Sequence, residues 1–100
     1  MKIITLCGSL KFQEDMMIIA EKLALEGNCV FTPVFPTKRN YKRSEKQLKS
    51  LRDVHFKKIE ISDTILVVNV NNYIGKSTHK EIEYAKMLSK EVIYYTDLTN

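Results

Sequence analysis

Glu81 is the residue of this chain best placed to do chemistry. It lies within Gly75-Lys76-Ser77-Thr78-His79-Lys80-Glu81-Ile82-Glu83-Tyr84-Ala85, just beyond an apolar run over residues 64–70. That run, rich in Val and Ile, reads as a buried strand. The residues after it read as a helix start, with Ser77 or Thr78 as N-cap and Glu81 on the first turn. In a parallel α/β sheet such strand-to-helix turns gather at the carboxyl edge, where ligands bind. A carboxylate within the positive end of a helix dipole stays ionised, which suits a nucleophile better than a general acid. The competing reading is structural, a capping-box glutamate bonding back to the cap N–H. Glu83 lies two positions on and points to another side of the helix, so only one of the two faces a crevice. Ile82 and Ala85 mark the buried side, with Tyr84 or Leu88 beside it.

A second candidate is the turn Gly8-Ser9 with Lys11 behind it. Free N–H groups between a strand and a helix start, with a glycine permitting close approach, make an anion site, and Lys11 adds charge. The turn lacks the Walker lysine and the further glycines of a dinucleotide fingerprint. A plain helix-capping turn reads equally well. His55 falls on the apolar stripe Leu48, Leu51, His55, Ile59, where a histidine is either a core residue or a proton carrier. Tyr73 can stack on a base or sugar, whereas His79 reads as solvent-exposed. Asp63 precedes the third strand, at the opposite edge, and reads as structural. Cys7 and Cys29 read as core thiols, with Cys7 at the ligand edge a candidate reactive group. The histidines, cysteines and carboxylates show no metal-ligand spacing, so neither metal nor cofactor is expected.

These residues need elements to hold them. Strands are expected near residues 3–6, 29–31, 64–70 and 92–95. Helices are expected over 12–26, 44–61 and 78–89, with Ser44 as a cap and Gly27-Asn28 as a stop. Phe12, Met16, Ile19, Ala20 and Leu23 form one apolar face. Residues 32–43 hold Pro33, Pro36 and Asn40 and read as a long loop. The alternation implies one α/β domain over residues 1–100, Rossmann-like or flavodoxin-like. It has three layers and a four-stranded parallel sheet, most simply in the order 2-1-3-4. The strand order then reverses between the first and third strands, which puts the site there. Residues 7–11 and 69–78 line it, and the loop over 32–43 can close over it.

The chain has 100 residues, 44% hydrophobic and 28% charged, as expected of one globular domain. No apolar stretch approaches a membrane span and no secretory leader is read, so a cytoplasmic protein is expected. The net charge of +4 comes largely from residues 38–49, which include Lys38, Arg39, Lys42 and Arg43. These read as a solvated loop face or as a phosphate clamp. Only Tyr41 interleaves them, which disfavours nucleic acid as partner.

Together, Leu6-Cys7-Gly8-Ser9-Leu10-Lys11-Phe12, residues 51–69, Tyr73-Ile74-Gly75 and residues 76–85 resemble the nucleoside 2-deoxyribosyltransferase-like superfamily. The segment from Ser77 to Ala85 is similar to that family's nucleophile motif, and Glu81 matches its catalytic glutamate; Glu83 stands where the motif often has Gly. The resemblance implies attack of the glutamate on the anomeric carbon of a nucleoside, followed by transfer to a second base or hydrolysis. His55 stands where the family usually has a second acidic group, and a protonated imidazole there would donate a proton to the leaving base. By the same resemblance Gly8, Ser9 and Lys11 hold the sugar or phosphate, helped by Gly75, Ser77 and Thr78. Asn69, Asn71 and Tyr73 position the sugar or base. The Gly-Ser-x-basic turn resembles the nucleotide-hydrolase branch and favours a nucleoside 5′-monophosphate over a free nucleoside. A homodimer or larger assembly is implied as well. The alternative is a binding module that senses a nucleotide in the same crevice without turnover.

Overall fold

The structure, a computed structural model, describes residues 1–38, 40 and 42–98. Arg39 and Tyr41 of the basic segment, and the last two residues, lie outside the described residues.

Alternation along the two central strands decides the layering. Strand β1 (Ile3–Cys7) buries Ile4 and Leu6 in one apolar cluster and Cys7 in another. Strand β3 (Thr64–Val67) likewise sends Leu66 one way and Ile65 and Val67 the other. This is the period-two pattern of strands covered on both faces. With β2 (Cys29–Phe31) and β4 (Glu91–Tyr94) they form a wholly parallel sheet in the order β2-β1-β3-β4. Cys7 and Val67 are paired at the carboxyl ends of the two central strands.

Helix α1 (Gln13–Leu25), entered through a 3-10 turn at Leu10–Phe12, covers one face with Phe12, Met16, Ile19, Ala20 and Leu23. Helices α2 (Glu45–Glu60) and α3 (Lys76–Met87) cover the other through Phe56, Ile59, Ile82 and Ala85. Tyr84 packs beside that face, whereas Leu88 is exposed. A short helix α4 (Tyr95–Leu98) follows β4. The sequence reading of a three-layer α/β domain with this strand order is the architecture observed.

Helix α2 carries His55, and three features fix it. Ser44 caps it in a reciprocal capping box with Gln47. Near its end the Lys58 carbonyl accepts from Ser62 Oγ at 2.7 Å and from Thr5 Oγ1 at 3.2 Å, tying the helix to β1. Against α3, the Tyr84 hydroxyl donates to Glu60 at 2.7 Å, and the Phe56 and Tyr84 rings meet edge-on at 4.8 Å. At the far edge of the sheet Ile3 N–H donates to the Asp63 carboxylate at 2.8 Å, the structural role expected of Asp63.

Several boundaries differ from expectation. β3 ends at Val67, because the chain leaves the sheet into a 3-10 turn at Val70–Asn72 in which Asn71 and Asn72 adopt φ of 56° and 62°. Asparagine tolerates that left-handed region, so its two side chains there set a tight exit. Helix α3 begins at Lys76 with Gly75 as N-cap; Ser77 and Thr78 are inside the helix. β1 and β4 each start or end one residue from expectation, with Cys7 inside β1 and Tyr95 outside β4. Leu48 is exposed rather than core. Among the described residues no helix is long and apolar enough to cross a membrane.

Candidate active site

Where β1 and β3 end side by side, the chain turns to opposite faces of the sheet, and a cavity of about 530 Å³ opens above the carboxyl edge. Its floor is the Gly8-Ser9 turn. One wall is the start of α3 with Tyr73, Gly75, Lys76, Ser77, Thr78 and Glu81. The opposite wall is α2, through Leu51, Arg52, His55 and Lys58, with Pro33, Val34 and Arg43 of the 32–43 loop above.

The floor is close-packed. A β-carbon at position 8 would come 3.1 Å from the Val68 carbonyl oxygen and 3.3 Å from Val68 Cβ, so any side chain there requires Val68 to give by a few tenths of an ångström. Ser9 turns its hydroxyl to the Lys11 N–H at 3.3 Å and opens the 3-10 turn into α1.

Glu81 is the sixth residue of α3, one turn deeper than expected, because the helix starts at Lys76. It is therefore not a capping-box glutamate, and its side chain is 18% exposed against the cavity. Burial raises its pKa to about 7; a hydrogen bond from Cys7 acts in the opposite direction. The carboxyl therefore divides between ionised and protonated forms near neutrality, a correction to the expectation of a permanently ionised group.

His55 projects from the middle of α2 into the same spot. Its Nε2 lies 3.6 Å from Glu81 Oε1 and 3.5 Å from Cys7 Sγ. Burial, then the charge of Lys58, lowers its pKa to about 4. The imidazole is neutral at pH 7, so the protonated donor expected from the sequence is absent in the ligand-free protein. Nδ1 of His55 is buried, and nothing among the described residues bonds to it. Cys7 is fully buried; desolvation first, then the Glu81 charge, pushes its thiol well above the ordinary range. A thiol so raised is a poor nucleophile.

Of the residues singled out from sequence, Gly8, Ser9, His55, Tyr73, Gly75, Ser77, Thr78 and Glu81 come together around the cavity. Three do not line it. Asn69 is buried, and its amide donates to Thr96 Oγ1 at 3.1 Å and accepts from Thr96 N–H at 3.2 Å, which fastens α4 to the end of β3. Asn71 is exposed in the left-handed turn. The Lys11 ammonium sits 3.3 Å from the Tyr73 ring centroid, a cation–π contact that braces Tyr73 from outside. Arg52, Lys58 and Lys76 are lining residues that the sequence did not single out. Arg52 and Lys58 stand three positions to either side of His55, which puts them on the same helical face. Arg43, one of the basic loop residues, also reaches the cavity and donates to the Val34 carbonyl at 3.4 Å.

The arrangement combines a half-ionised buried carboxyl, a neutral imidazole and a cationic rim. The backbone N–H groups of Lys76, Ser77 and Thr78 begin α3 with no side-chain cap, and all three residues line the cavity. Such a helix start attracts an anion. No protein-family model matches the chain, and no curated protein does.

Proposed function

We propose that the protein cleaves or exchanges the N-glycosidic bond of a nucleoside 5′-monophosphate, or of the corresponding nucleoside, with Glu81 as nucleophile. The observation that carries this reading is the placement of the Glu81 carboxyl: buried, facing a nucleotide-sized cavity, and adjoining the uncapped start of α3 and the cations Arg52, Lys58 and Lys76.

In the first step an ionised Glu81 oxygen attacks the anomeric carbon. A carbon–oxygen ester bond forms as the carbon–nitrogen bond breaks, the electron pair leaves with the base, and solvent supplies its proton. Water or a second base then attacks the same carbon and releases the carboxylate. The phosphate would lie against the α3 amides, Ser9 and Ser77, with Arg52 and Lys76 neutralising it. Tyr73 offers an aromatic face to the base. The neutral His55 packs beside Glu81 and keeps it from water without adding a charge. Cytoplasmic residence belongs to the same reading, and two unbridged cysteines suit a reducing compartment. So does self-association through α2, whose Val54 and Ile61 are exposed.

The test is incubation of purified protein with deoxynucleosides, ribonucleosides and their 5′-monophosphates, with and without an acceptor base, following free base by chromatography. Base release that disappears in Glu81→Gln supports the enzyme, and dependence on acceptor separates transfer from hydrolysis. No release from any substrate, with one of them protecting the fold against heat, replaces catalysis by nucleotide sensing. Light scattering reports the oligomer.

A further inference from the structure

Three side chains from three separate elements converge beneath the cavity: Cys7 at the end of β1, His55 from α2 and Glu81 from α3. Sγ, Nε2 and a carboxylate oxygen all lie within 4.8 Å of one another. The Cys7 thiol bonds Glu81, but the imidazole Nε2 between them has no strong partner: its separation of 3.6 Å from the carboxylate exceeds a hydrogen bond, and its 3.5 Å contact with the thiol is a weak one.

The same separations suit a shared ion. Metal–sulfur bonds of about 2.3 Å and metal–nitrogen or metal–oxygen bonds of about 2.0–2.1 Å, set at tetrahedral angles, put neighbouring donor atoms about 3.3–3.6 Å apart. The sulfur–nitrogen separation of 3.5 Å falls on that spacing, and the nitrogen–oxygen separation of 3.6 Å needs only a few tenths of an ångström of closure to reach it. We propose that Cys7, His55 and Glu81 form a three-ligand site for a zinc-class divalent cation, open on its fourth side to the cavity.

The donor set selects the ion. A thiolate, an imidazole and one carboxylate favour zinc or cobalt over magnesium or calcium, which take oxygen donors. Binding displaces the Cys7 proton to solvent, as a coordinating thiol loses its proton outright, and Glu81 binds ionised. Two negative ligands then balance the dication, so the buried assembly is neutral. Entry is from the cavity, which His55 and Glu81 both line. On the reading of Glu81 as nucleophile, the ion occupies the attacking oxygen, and base release stops while it is bound.

Cobalt titration of the chelator-stripped full chain tests the site without reference to activity. One equivalent of Co²⁺ is expected to give a thiolate-to-cobalt charge-transfer band in the near ultraviolet and the intense visible bands of tetrahedral cobalt, both displaced by Zn²⁺. Cys7→Ser is expected to lose the charge-transfer band, and Cys7→Ser and Glu81→Gln each to weaken Zn²⁺ binding more than about a hundredfold, beyond the loss typical of partners that only support a ligand. Cys29→Ser retains the band and controls for the other thiol; thermal unfolding of each variant verifies the fold. No band in the wild type, or a band that survives Cys7→Ser and vanishes in Cys29→Ser, overturns the site. A protein that binds cobalt as described yet, when chelator-stripped, releases no base keeps the metal site and loses the glycosidic reading; release from the stripped protein without a cobalt band does the reverse.

Discussion

His55 Nε2 and Glu81 Oε1 stand 3.6 Å apart, beyond a hydrogen bond yet near enough for a charge on either to be felt by the other. Both are buried, and burial moves them in opposite directions, Glu81 up to about 7 and His55 down to about 4. The pair is therefore neutral in slightly acidic solution and gains a negative charge, on Glu81, as the pH passes neutrality.

The rate of base release should follow that charge. In chelator-treated protein kcat/KM is expected to rise roughly tenfold per pH unit below pH 7 and to level off above it. His55, neutral throughout this range, adds no descending limb. A profile that falls above pH 6.5 would return His55 to the role of a protonated donor.

Replacing the nucleophile separates chemistry from binding. Glu81→Gln should lower kcat for base release by roughly 10³-fold or more while nucleotide affinity changes little. Residual activity near wild type would remove Glu81 from the reaction.

Stability carries the same signature with the sign reversed. Glu81 has a folded-state pKa raised from 4.5 to about 7, so the native state holds this proton more tightly than the unfolded chain. The stabilisation is complete below pH 4.5 and is lost as the pH rises through 7. Relative to wild type, Glu81→Gln should therefore gain up to ~3 kcal/mol between pH 4 and pH 8. Urea unfolding of both proteins at the two pH values reads this directly, and equal shifts would show that the carboxyl is well solvated.

The cationic rim should distinguish a monophosphate from its nucleoside. Arg52→Ala and Lys76→Ala are each expected to weaken binding of the monophosphate about tenfold and of the nucleoside less than about twofold, the loss of one charge-assisted contact. Calorimetric titration of both ligands checks it. Equal losses would place these side chains against the sugar or base.

Asp63→Ala offers a structural contrast. Its carboxylate accepts the Ile3 N–H at the opposite edge of the sheet, so its loss should cost about 1–2 kcal/mol in unfolding free energy. Nucleotide affinity at 25 °C should stay unchanged; a matching loss would mean that the two sheet edges are coupled.

The parallel sheet was legible because residues 64–67 and 3–7 are apolar but for Thr64 and Thr5, and the α1 face because its apolar residues recur at helical spacing. Ser44 was legible as a cap for the same local reason. The start of α3 was not. Gly75 caps without a side chain, so the nearby Ser77 and Thr78 drew the boundary inward and put Glu81 a turn too near the dipole. Asn69 misled because its partner, Thr96, is remote in sequence and only the folded chain brings the two together. Arg52 and Lys58 carried a local signal in their spacing about His55. The approach of Cys7 to His55 and Glu81 required three elements to be docked first.

Gly8 has a consequence for how this crevice can change by substitution. Because Val68 crowds any β-carbon there, the floor at Gly8 is main chain, and a side chain introduced at that position must first displace Val68 at the end of the paired central strands. Side-chain variation is easier at the other wall, where Pro33, Val34 and Leu51 line the cavity. The crevice thus has one side fixed by the backbone of the central strands and another whose side chains can change without disturbing the sheet.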